Sequence, residues 1–291
     1  MQITLRNTSS LAVIDTQGAE MRSFQDGFGT EYLWQADSVY WNRTSPLLFP
    51  CVGRLRDGKT TIDGVEYSIP KHGFLRDREF RLAFYNDEKA ILSYLSNDKD
   101  YEIFPFRFNF QVTYTLEGCS LKVQYDVFNM DDKEMPFCIG AHPGFRVPVF
   151  GDEPFENYYI ELDRPVTASI PYFTGSEWDN SKRREFLKDQ KRFFLNHSMF
   201  DGDAIFLDEV KPVSVTLASV LSGRGVQMNI EGFESIAFWT PAGKQAPFVC
   251  LEPWAGSDSY TDEDGDFRKK RQVQTVQPDE KKTYSFTIEM L

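Results

Sequence analysis

Histidine is scarce in this chain, with three among 291 residues. Two of the three are fenced by residues that stiffen or bend the backbone. His72 lies in Pro-Lys-His-Gly-Phe and His142 in Gly-Ala-His-Pro-Gly-Phe. Cysteine is nearly as rare: four residues, at 51, 119, 138 and 250, with no C-x-x-C pair. That spacing excludes a zinc ribbon and a dithiol redox motif. Basic residues are in deficit, 32 Lys and Arg against 44 Asp and Glu, for a formal net charge of -12. Such a chain repels phosphate backbones and anionic lipid surfaces, so neither nucleic acid nor membrane is an expected partner. No apolar run approaches the ~20 residues of a membrane-spanning helix. The first residues lack the charged-then-apolar layout of a secretion signal. A cytoplasmic location is therefore expected, with the cysteines reduced and mostly buried as small hydrophobes.

Aromatic residues are plentiful, with 26 Phe and 13 Tyr. They favour strands, and period-two alternation runs through the chain. Phe108, Phe110, Val112, Tyr114 and Leu116 alternate with polar residues up to Glu117-Gly118, and Leu121, Val123, Tyr125 and Val127 then resume the pattern. This is a hairpin signature. Val213 to Leu217, Val226 to Ile230 and Tyr284 to Met290 repeat the alternation, with Asp63-Gly64 and Ser222-Gly223 as turn signals. Many alternating strands without a βαβ rhythm predict an all-β fold, a large antiparallel β-sandwich formed as one domain over residues 1–291. Ser181 to Gln190 is the one stretch that could form a short helix, although its charges read most simply as a solvated loop. Asp258 to Arg271 is acidic but lacks the residue order of an EF-hand, so no metal is expected there.

Several residues could carry chemistry. Imidazole titrates near neutrality, and Pro143 holds His142 in extended backbone. His142 reads either as a proton carrier or as a turn residue bonded to backbone. His72 reads as a weaker case of the same choice. Arg54 follows Gly53, which would let the backbone approach a ligand, and its guanidinium offers planar donors; the alternative is a surface ion pair. Glu252 ends the apolar run Phe248 to Leu251 and precedes Pro253. A carboxylate there is either turned to water at a strand end or buried with a shifted pKa and fit to act as a base. Asp203 could be a turn residue alone. Aromatic rings accompany these positions, among them Trp34, Trp41, Phe145, Trp239 and Trp254. Most read as core, although sugar C–H faces also pack on such rings.

Taken in order along the chain, these pieces resemble the aldose 1-epimerase (galactose mutarotase) family, in the branch that includes the bacterial LacX proteins. The matching segments are Gly18-Ala19-Glu20, Glu31-Tyr32-Leu33-Trp34, Tyr40-Trp41, Pro46 to Pro50, and Val52-Gly53-Arg54-Leu55. They continue with Lys71-His72-Gly73-Phe74, Ala141-His142-Pro143-Gly144-Phe145, and Cys250-Leu251-Glu252-Pro253-Trp254. The resemblance implies a galactose mutarotase-like supersandwich and an isomerase that interconverts α and β anomers of a free hexose without a cofactor or metal. It implies Glu252 as the base on the C1 hydroxyl and His142 as the acid on the ring oxygen. It further implies substrate binding by Arg54, His72 and Asp203, with Arg76, Trp254 and Phe145 as additional candidates. The chain departs from the galactose enzymes where Gly53-Arg54 replaces Asn-Arg and Asp203-Ala204 replaces Asp-His, which leaves the sugar open.

Two other readings stand beside this one. Arg76, in His-Gly-Phe-Leu-Arg, suggests a hexose-6-phosphate 1-epimerase. A non-catalytic sugar-binding or sensing protein on the same fold is the third. In each case the expected partner is a small-molecule sugar, and the expected assembly a monomer or homodimer.

Overall fold

The computed structural model describes residues 1–291, and antiparallel strands form most of it. The hairpin read from alternation is present as Phe108–Glu117 paired with Ser120–Asn129. Its burial alternates as the sequence does, with apolar positions inward and polar positions outward along Phe108–Glu117. The strands Ser214–Ser219, Gly225–Glu231 and Lys281–Met290 occupy the other alternating runs. Together they belong to a nine-stranded sheet. Its outer pair is a long hairpin, Tyr158–Phe173 with Trp178–Phe194.

That hairpin corrects the reading of Ser181 to Gln190 as helix or loop, because the segment is strand throughout. Its charges do not alternate with apolar residues because this part of the ribbon has little buried surface. Arg183 is the exception: its guanidinium donates to both Asp208 oxygens, at 3.0 and 2.6 Å, and to the Ser169 backbone oxygen. A bidentate Arg–carboxylate pair of this kind fixes geometry as well as contributing energy. The short helix Asp98–Tyr101 carried no period long enough to read; Asn97 caps it, accepting from the Lys99 and Asp100 N–H groups.

A second sheet has the order Ile205–Leu207, Ser235–Trp239, Phe248–Ala255, Ile139–Ala141 and Leu47–Leu48, with Gly144–Arg146 also paired to Phe248–Ala255. One hydrophobic cluster of 76 buried residues draws on both sheets, which makes it a shared core. At its centre Phe49, next to the second sheet's edge, packs against Phe108 and Phe110 of the first, with centroids 5.0 and 5.1 Å away. Burial of such rings is the dominant favourable term in folding. The four cysteines are free, and all but Cys119 are buried. No helix is long and apolar enough to cross a membrane.

Candidate active site

Glu252 sits inside a strand, which corrects the expectation of a strand end at Pro253: Phe248–Ala255 runs through the proline. The reason lies in its neighbour. Ile139 and Gly140 pair with Ala255 and Trp254 on one side of an interruption, and Gly144 to Arg146 pair with Cys250 to Phe248 on the other. The register is the same on both sides. It therefore sets His142, in the interruption, directly opposite Glu252. Pro143 offers its carbonyl to the Leu251 N–H at 3.1 Å. Directly opposed residues share a sheet face and are in contact range. His142 Nε2 and Glu252 Oε2 indeed lie 3.2 Å apart. They are 7 % and 1 % exposed.

The remaining candidates line up across the same face. Trp239 ends the strand beside Glu252, and Trp254 follows two residues along, so both point to the Glu252 side. Asp203 precedes the edge strand Ile205–Leu207, and His72 is anchored at the opposite edge. There the Phe74 N–H donates to the Phe49 carbonyl at 3.0 Å, and Gly73 bridges to Phe49. Gly73 has φ +71°, and a Cβ would land on the Phe49 carbonyl. Only glycine lets the loop lie this close to the sheet.

His72 is fixed in one tautomer. Its Nδ1 accepts the Gly53 N–H at 3.1 Å. In the neutral ring the proton is then on Nε2, which makes His72 a donor toward the cavity. Burial, then the nearby Lys71 cation, holds its pKa well below the ordinary value. Gly53 serves a different purpose from the ligand approach expected of it. Its φ is +67°, and a Cβ would overlap the Asp258 carboxylate. That carboxylate accepts the Arg54 N–H at 2.8 Å. Asp258 thereby positions Arg54, whose guanidinium lies 3.6 Å from Asp203 and over the Phe173 ring at 5.2 Å.

Trp41 stacks on His142, centroids 4.8 Å apart, while Trp239 meets the imidazole edge-on at 5.6 Å. The Trp41 loop is held from two directions. The Glu20 carboxylate accepts the Thr44 and Ser45 N–H groups at 2.7 and 3.0 Å. The Trp34 indole donates to the Trp41 carbonyl at 2.8 Å. These aromatic walls make a low-dielectric box around an acid and a base. Burial pushes the Glu252 pKa well above its ordinary value and the His142 pKa well below. Each charged form alone is disfavoured, so the pair holds one proton across a wide pH range.

The cavity so enclosed has a volume of about 220 Å³ and is also lined by Lys71 and Arg76. Nine buried side-chain polar atoms in the protein lack a hydrogen-bond partner. Five belong to residues lining this cavity: Arg76, His142, Trp178, Glu252 and Trp254. Each such atom costs about 1–3 kcal/mol, so their concentration in one place points to a polar ligand. Cys250 also stands close, and the donor atoms of His142, Cys250 and Glu252 lie within 4.8 Å of one another. This grouping could hold a metal ion only at the expense of the Cys250 proton, which burial holds tightly.

The family description Aldose 1-epimerase matches residues 1–288. The chain belongs to the aldose 1-epimerase family. Protein LacX of Lactococcus lactis subsp. lactis, in its plasmid and chromosomal forms, is 36% identical over 99% of both chains. A galactose mutarotase related enzyme from Lactobacillus acidophilus superposes with a TM-score of 0.95 at 28% identity, over 100% of this chain and 97% of its own. A galactose mutarotase-like protein from Lactobacillus casei gives 0.90 at 28% identity, over the whole of both chains. The galactose mutarotase-like sandwich expected from the sequence is therefore the fold.

Within this aldose 1-epimerase fold, the cavity gathers Glu252, His142, His72, Arg54, Asp203, Arg76 and Trp254. Phe145 is not among them. It is fully buried in the core cluster and pairs with Val249, the strand face turned away from Glu252. His197 also lies elsewhere, stacked on Phe155 with its Nε2 3.0 Å from the Ala246 carbonyl. Sequence reasoning passed over Lys71 and Asp258. Lys71 precedes His72, so its position was a usable signal. Asp258 was hidden at the start of an acidic stretch weighed only as a calcium loop.

Proposed function

We propose that this protein is an aldose 1-epimerase acting on a free hexose, with Glu252 and His142 as its acid/base pair. The observation that carries the reading is their placement directly opposite one another in the wall of the cavity, both buried and 3.2 Å apart. In the reactive arrangement Glu252 is ionised and His142 protonated. Sugar hydroxyls donating to the Glu252 carboxylate favour that arrangement. Glu252 removes the proton from the C1 hydroxyl while His142 gives its proton to O5, and the C1–O5 bond breaks. The open-chain aldehyde rotates about C1–C2. Ring closure on the other carbonyl face returns both protons and leaves the opposite anomer. No net proton is consumed, which suits a pair that holds one.

His72 Nε2–H and the Arg54–Asp203 pair hold ring hydroxyls. The Glu252–His142 pair, holding one proton, carries no net charge, so Arg54, Lys71 and Arg76 face Asp203 and Asp258 around the cavity. The test is NMR saturation exchange between the anomers of glucose and galactose. The protein should accelerate exchange over buffer and the Glu252→Gln variant should not; equal exchange with both proteins would refute the assignment.

One observation favours a hexose 6-phosphate instead. Lys71 lines the cavity without an ion-pair partner, and the buried Arg76 Nε has no acceptor. Two such donors suit a phosphate. Assaying the 6-phosphates alongside the free sugars, with Arg76→Ala, separates the two readings.

A further inference from the structure

Cys250 is a thiol that the anomer-exchange reaction does not use. It shares a strand face with Glu252, two residues on, because successive side chains alternate across a sheet. Trp239 pairs with it on one side and Gly144 on the other. Gly144 keeps the space above the sulfur open: a Cβ there would stand 3.2 Å from Trp41 and 3.4 Å from the Cys250 Sγ. The sulfur thus looks past Gly144 toward Trp41, the ring that stacks on His142.

The donor atoms of Cys250, His142 and Glu252 all lie within 4.8 Å of one another. Zinc holds a Cys sulfur at about 2.3 Å and a His nitrogen or carboxylate oxygen at about 2.0–2.2 Å, so ligands of one ion stand about 3.3–3.8 Å apart. His142 and Glu252 are already 3.2 Å apart. Small side-chain rotations bring the sulfur into the set. Glu252 Oε2 and His142 Nδ1 are moreover buried without a hydrogen-bond partner. We propose that Cys250, His142 and Glu252 form a site for a thiophilic divalent cation of the zinc class, and that its occupation shuts off anomer exchange. The site stands without the epimerase reading; the shut-off rests on it.

Three protein donors leave a fourth position for water on the side of the cavity, which His142 and Glu252 line. Coordination replaces the thiol proton and the proton that the pair shares, and both pass to solvent. His142 and Glu252 then have no proton to exchange with O5 and the C1 hydroxyl, so acid and base are lost together. The ligand set selects the ion. Thiolate and imidazole suit zinc and cadmium, whereas Mg²⁺ and Ca²⁺ take oxygen ligands. Burial keeps the Cys250 thiol protonated on its own, and a coordinating metal is what deprotonates it. Arg54, Lys71 and Arg76 around the cavity oppose any cation held by charge alone. The bond to sulfur offsets that repulsion.

The experiment titrates the full chain with Cd²⁺, following the ultraviolet charge-transfer band of a cadmium thiolate, and measures anomer exchange of glucose and galactose with Zn²⁺, Mg²⁺ or Ca²⁺ added. Cd²⁺ should produce the band, and Zn²⁺ should abolish exchange until EDTA restores it. Cys250→Ser should lose the band and resist Zn²⁺. Glu252→Gln keeps the thiol and should weaken Cd²⁺ binding by at least about tenfold, the lower end of the loss for even an outer partner of a metal site. Cys119→Ser, which removes the exposed thiol, should change nothing. A parent without the band overturns the site. So does a band that survives in Cys250→Ser or vanishes in Cys119→Ser, unchanged Cd²⁺ affinity in Glu252→Gln, or equal inhibition by Mg²⁺ or Ca²⁺. A band that requires Cys250, with exchange undiminished by Zn²⁺, overturns the shut-off alone. No acceleration of any sugar by the metal-free protein overturns the epimerase reading and the shut-off with it, and the cadmium band still decides the site.

Discussion

Three imidazoles take three different environments in this chain, and the difference lies in what each ring nitrogen faces. His142 faces the Glu252 carboxylate, His72 takes a backbone N–H on Nδ1, and His197 stacks on Phe155 outside the site. Replacing Glu252 by Gln or His142 by Asn is expected to lower kcat by about 10²–10⁴, the ordinary range for one acid or base. His72→Asn is expected to act mainly on KM, because a ring locked as a neutral donor orients a hydroxyl in ground and transition state alike. Steady-state kinetics on all three variants checks the split. The pH profile should be bell-shaped, reporting the pair rather than either residue. Burial lowers His142, so the acid limb, where the pair gains a second proton, lies below pH 6.5, the ordinary imidazole value. Burial raises Glu252, so the alkaline limb, where the pair loses its last proton, lies above 4.5. An acid limb centred above 6.5 would contradict the burial argument. Scarcity and Gly/Pro framing made His72 and His142 visible in the sequence, but their separate roles came from the family resemblance. Asp258 stayed hidden because its partner is the Arg54 N–H, 204 residues away.

Among the elements, two kinds of segment differ in how far the sequence reveals them. Strands buried on one face announce themselves by alternation, as Phe108–Glu117 and Lys281–Met290 do. Trp178–Phe194 does not, because much of that ribbon has both faces in water and the hydrophobic period has nothing to record. The interruption at His142 was equally silent. Gly-Ala-His-Pro-Gly reads as a turn, and only the constant register on either side shows that it is a gap in a strand. Loops that touch the sheet at glycine make a sharper prediction. Gly73→Ala should destabilise the protein by more than about 1–3 kcal/mol, because the new Cβ meets the Phe49 carbonyl and the residue keeps a positive φ. Gly64→Ala is the control. It also has positive φ, +81°, but open space around it, so its loss should be limited to the backbone strain of about 1–2 kcal/mol. Urea midpoints for the two variants should fall in that order, and equal midpoints would mean that the His72 loop can move off the sheet.

For the molecule as a whole, the acid/base pair sets function against stability. The Glu252 carboxyl is buried and its folded pKa is raised above the unfolded value near 4.5. As pH rises through that interval, the unfolded chain releases the proton while the folded chain keeps it. The native state then binds more protons than the unfolded state, and stability falls with rising pH until the folded pKa is passed. His72 and His142 act in the opposite direction. Their folded pKa values lie below the unfolded value of 6.5, so their contribution is lost as pH falls from there. Above about pH 7.5 the histidines are neutral in both states, which isolates the Glu252 effect. Glu252→Gln keeps the shape of the side chain and removes the titration. Since each pKa unit is worth about 1.4 kcal/mol, the variant should be more stable than the parent at pH 8. That gain should shrink toward pH 5, where the parent's carboxyl is protonated in a growing share of unfolded chains. Thermal unfolding of parent and variant between pH 5 and 9 measures it. A variant no more stable at pH 8 would mean that Glu252 is ionised at rest, with His142 holding the proton and the ion pair offsetting the burial of both groups.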